Sequence, residues 1–172
     1  MRKSLIFVFS VIVIQVSGQS FMSYKDTINN FSINIPVGWK YGINKNYPSI
    51  KLLAYRIPLD KLDTSRDNLN ININESSGND LDKAFENFLG VLGESKNFKI
   101  IDKGDTIINR TKFKWLIETH TNENSDIQMH NYDLMSLKDE KTYVLTMVTF
   151  SNSFIIIKPL FDQIASSFSL LK

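Results

Sequence analysis

From Asn68 to Asn74 every second residue is asparagine, and Leu69, Ile71 and Ile73 fill the places between. Successive side chains of a β-strand point to opposite faces, so this period of two fixes a strand with an aliphatic side and an amide side. A slip of one residue would turn all three aliphatics into water, which ties the register to burial. Whatever fold the chain adopts must therefore offer a sheet with one dry face and one wet or hydrogen-bonded face.

Other segments repeat the pattern. Phe31, Ile33 and Ile35 alternate with polar residues before Pro36 and Gly38 interrupt, and Trp39 to Tyr41 resumes the strand after a kink. Residues 50–55 read as a second strand, and residues 19–30 as a polar lead ahead of the first. After Asn79 and Asp80, either of which can cap a helix, Leu81, Phe85, Phe88, Leu89 and Leu92 fall at helical spacing until Gly93. Strands are expected at 98–102 and 106–108 around a tight turn at 103–105, then at 111–121, 127–137 and 143–150 with short turns between. Pro159 suits the first position of a closing helix that carries Leu160, Phe161, Ile164 and Phe168. The order strands, helix, strands, helix predicts an α+β fold, a single mainly antiparallel sheet with helices packed on it.

The N-terminus combines Arg2 and Lys3, an apolar run from Leu5 to Val16, and small residues at Ser17 and Gly18. This is the layout of a secretory signal peptide, and its apolar run is well short of the ~20 residues a membrane-spanning helix needs. We expect residues 1–18 to be removed after Gly18, leaving residues 19–172 as one domain in the periplasm or outside the cell, without a stable membrane anchor. Losing Arg2 and Lys3 from 20 basic residues balances the 18 acidic ones, and no basic stripe remains to attract nucleic acid. The chain has no cysteine, which removes lipid attachment, thiol catalysis and disulfides together.

Residues 31–39 (FSINIPVGW) resemble the opening strand of the PsbP-like superfamily, which includes the extrinsic oxygen-evolving-complex protein, eukaryotic Ran-release-factor proteins and small bacterial exported proteins. Residues 143–146 with 166–168, residues 68–73 ahead of a helix, and residues 104–111 before a long strand are similar to that group as well. The resemblance spans about residues 24–171 and implies a PsbP-like sandwich. Its members bind proteins or metals and share no catalytic motif, so it implies a binding or assembly-accessory role, with no cofactor and no enzymatic activity. Fold alone assigns no activity.

Three sets of residues carry possible chemistry. His120 and His130, placed symmetrically about Ser125, would face each other across a hairpin, with Glu118 on the same side as His120. Two imidazoles and a carboxylate suit zinc or copper, which makes a metal or small-ligand module the alternative function. Tyr41 and Tyr47, together with Asp60 and Asp63 of the charged connection after residue 55, form a candidate contact surface for another envelope or secreted protein. A hydrolase would need an acid and base that no motif marks, since no G-x-S-x-G elbow exists. Trp39 and Trp115 are expected in the core.

Overall fold

The structure, a computed structural model, describes residues 18–43, 46–64, 66–76 and 78–171. The leader at residues 1–17 lies outside the described residues.

Strand β5 (Asn68–Glu75) follows its alternation, with Leu69 and Ile71 fully buried. It joins β3 (Lys40–Gly42), β4 (Ile50–Tyr55), β6 (Lys99–Ile108), β7 (Thr111–Thr121), β8 (Gln128–Lys138) and β9 (Lys141–Phe150) in a seven-stranded antiparallel sheet ordered β3-β4-β5-β9-β8-β7-β6. Helix α1 (Leu81–Leu92) lies on one face and α2 (Phe154–Ser167) on the other. The α+β class read from the sequence stands, but the strands divide between two sheets. A second sheet of β1 (Phe21–Asp26), β2 (Phe31–Pro36) and β10 (Ser169–Leu170) shares the α2 side.

The main core lies between these layers and includes Phe31, Ile33, Leu52, Leu69, Leu145, Phe161 and Phe168, all at most 1% exposed. Each such side chain contributes about 1.5–3 kcal/mol through burial. Trp39 belongs to this core and Trp115 packs against it, as expected of both rings.

Three local expectations change. The polar lead 19–30 contains β1, paired along its whole length with β2 and closed by Asp26, which accepts hydrogen bonds from the Ile28 and Asn29 amides. Residues 103–105 are not a turn but lie inside β6, where Gly104 faces Trp115; a Cβ there would come within 3.0 Å of the indole. The chain turns instead at Asn109 and Arg110, both at positive φ. Finally, α2 begins at Phe154, so Pro159 lies within the helix and not at its first position.

Candidate functional site

The register builds the α1 face of the large sheet in cross-strand rows. Lys114, Met135, Val144 and Asn72 make the first, and Leu116, Asp133, Thr146 and Asn70 the second. Glu118, Asn131, Val148 and Asn68 make the third, and His120, Met129 and Phe150 the last. Helix α1 lays Phe85 on Leu116, Met135 and Val144. Its entry is fixed by Asp80, whose carboxylate accepts the Lys83 amide, and by Asp82, which pairs with Lys114. Twelve residues rise only about 18 Å, so one helix covers part of a seven-stranded face.

Beyond the helix the face stays open as a groove of about 870 Å³. Its floor carries Asn68, Asn70, Met129, Asn131, Thr146, Val148 and Phe150. Thr64 and Arg66 form one wall, and His120, Asn122, Ser125 and Ile127 of the β7–β8 hairpin form the other. That volume is in the range of small-molecule sites, and the lining mixes apolar and amide groups.

Two acids share rows with the floor without lining the groove, Glu118 opposite Asn131 and Asp133 opposite Thr146. Glu118 is 0% exposed and Asp133 2%. Burial pushes the Glu118 carboxyl up to about 7, against a smaller lowering from its hydrogen bond with Asn131. Burial also pushes Asp133 up to about 8, opposed by the Thr146 hydroxyl that donates to its Oδ1 at 2.6 Å and reinforced by the charge of Glu118. His120 brings Nδ1 within 3.1 and 3.2 Å of the two Glu118 oxygens, and burial lowers its own basicity. Asn131 Oδ1 and Asp133 Oδ2 are buried without a hydrogen-bond partner. Most buried polar atoms are paired, so the unpartnered Asn131 oxygen marks the groove floor; His130 Nε2 is a further such atom, away from the groove.

The predicted trio is split. The hairpin pairs Thr119 with His130 and His120 with Met129, a register one residue away from that expected. Successive residues point to opposite faces, so Glu118 and His120 share the groove side while His130 turns to the α2 side. There its ring stacks on Phe154 with centroids 3.6 Å apart, and burial lowers its basicity. Among the described residues no group of three or more His, Asp or Glu side chains is placed to hold a metal ion. The sequence reading missed Asp133 and Asn131. Their signal is faint: a lone acid between Tyr132 and Leu134 on the wet phase of a strand.

The proposed contact surface is also only partly assembled. Tyr41 and Tyr47 are 48% and 61% exposed, with Tyr41 edge-on to Tyr24 beside a shallow hollow lined by Trp39, Lys40 and Tyr55. Asp60 and Asp63 serve their own loop. Asp60 accepts the Leu62 and Asp63 amides, while Asp63 pairs with Arg56 at 2.7 Å and accepts the Leu59 amide. Arg56 also holds Asp67, which Thr149 anchors to β9.

No family model and no curated protein matches the sequence. Solved structures do match. The cyanobacterial PsbP of Synechocystis superposes with a TM-score of 0.64 at 17% identity, over 91% of this chain and 95% of that one. The Ran-binding protein Mog1p of Saccharomyces cerevisiae gives 0.63 at 10% identity, over 90% and 97%. LpqN of Mycobacterium tuberculosis, described as involved in cell envelope biogenesis, gives 0.60 at 10% identity, over 92% and 88%. The chain therefore has the PsbP/Mog1-like fold, as its residue runs suggested.

Proposed function

We propose that this chain is a non-enzymatic binding or accessory protein, exported to the periplasm or beyond, and that it binds in the open groove of its large sheet. The observation that carries this reading is Asn131, only 7% exposed, lying on the groove floor with its side-chain oxygen unpartnered. A folded protein leaves few such atoms, and a bound group that donates to it would remove the cost. Export is inferred from the leader sequence. Among the described residues no helix is long and apolar enough to cross a membrane.

Two of the groove's hydroxyls are engaged within the protein. Ser125 donates to Asn122 and Thr146 donates to Asp133, so neither is presented to His120 as a nucleophile would be. Two of the structural neighbours carry names that fit an accessory role, one binding Ran and one involved in envelope biogenesis.

Amide spectra of the ¹⁵N-labelled protein, recorded with and without an extract of the producing cell's envelope, test the location. Shifts should cluster on Met129, Asn131, Thr146 and Val148, and Val148→Trp should abolish them. Shifts confined to Tyr41 and Tyr47 would move the site to the other end of the sheet.

A further inference from the structure

We propose that the groove takes a primary ammonium group on an apolar stem, with Asn131 and His120 receiving its N–H donors and the acids Glu118 and Asp133 supplying the opposing charge. This rests on the groove being the binding site and adds the chemistry of what fills it.

Among the described residues nothing donates to Asn131 Oδ1, on the groove floor, or to Asp133 Oδ2, on the neighbouring row. Thr146 has turned its hydroxyl proton to Asp133 Oδ1. His120 points Nδ1 at Glu118, and once Glu118 is ionised beside the ammonium the imidazole proton sits on Nδ1 and leaves Nε2 as a further acceptor. An ammonium carries three donors and a positive charge, whereas a hydroxyl brings one donor and no charge and a carboxylate brings only acceptors.

Charge points the same way. Two acids on neighbouring rows are held away from ionisation by burial, so a cation beside them gains what water would otherwise supply. The protein's own cations on this side are engaged elsewhere. Lys114 pairs with Asp82 and Asp105, and Lys96 with Asp126. Arg66, on the opposite wall, donates to the Thr64 carbonyl. Met129, Val148 and Phe150 offer an apolar floor to the stem.

Calorimetry and amide spectra of the full chain with n-hexylammonium test this, with 1-hexanol and hexanoate as neutral and anionic controls. Hexylammonium should saturate, shift the amides of Asn131, Thr146 and Val148, and tighten about tenfold per pH unit between about pH 6 and 7 as a proton is released. The controls should bind at least about tenfold more weakly, in line with one lost charge-assisted contact. An Nα-acetyl-lysine amide that binds as tightly would identify a lysine side chain of a partner as the source; weaker binding than hexylammonium would identify a free amine. The double variant Glu118→Gln/Asp133→Asn should keep a native spectrum and lose both the affinity and its pH dependence. Equal binding of hexanol, or unchanged affinity in the double variant, would overturn the ammonium assignment. Extract-driven shifts in the groove with none from hexylammonium would reject the ammonium and keep the groove as the site.

Discussion

Two halves of one sheet face, built from the same three strands, have opposite chemistry. Under α1 the rows present Leu116, Met135 and Val144, and Phe85 closes over them. One or two rows further along, the corresponding places hold Asp133, Thr146, Glu118 and Asn131, with a groove above. In the first half these apolar side chains gain by leaving water. In the second, two acids are buried against their preference and two acceptors go unsatisfied. A face serving stability alone would extend the first half; the second half retains groups that cost stability, as binding sites do.

The sharpest way to separate the halves is pH. Both acids keep protons in the native state at pH values where the unfolded chain has released them, so stability should fall as pH climbs from about 4 and level off past about 8. The slope reaches up to about 1.4 kcal/mol per pH unit for each acid. Urea unfolding of the wild type across that range should show it, and Glu118→Gln/Asp133→Asn should flatten it. In the covered half, Leu116→Ala should cost about 3 kcal/mol at any pH, by denaturant midpoint, because it opens a cavity beneath Phe85. Thr146→Val removes the donor from Asp133 and should cost about 1–2 kcal/mol, with the loss growing as Asp133 ionises. Asn70→Val, on the open floor, should change thermal stability by no more than about 0.5 kcal/mol. A loss there as large as that of Leu116→Ala would erase the distinction.

Much of the fold was legible in the sequence because packing leaves a periodic trace. The alternation at 68–74 and the helical spacing of Leu81, Phe85, Phe88, Leu89 and Leu92 each survive as single elements. Strand β1 was hidden because Phe21, Met22 and Tyr24 are only partly buried against the core and polar residues surround them. Gly104 read as a turn because sequence cannot show that an indole from the next strand occupies the space of its side chain.

The site was harder to read than the fold for a related reason. Glu118 and His120 were found together, since residues two apart on a strand share a face. His130 was misplaced because a six-residue loop, 122–127, closes the hairpin half a step from the symmetric centre. Asp133 lies on the phase that should meet solvent, and only the tertiary cover of that face makes it a buried acid.

The central claim is that the open half of this face keeps two carboxyls buried and short of ionisation near neutral pH. Following the Glu118 Cδ and Asp133 Cγ resonances by carbon NMR through a pH titration measures this without any ligand. Midpoints near 7 and 8 are expected. Midpoints of about 4, the ordinary carboxylate value, would contradict it.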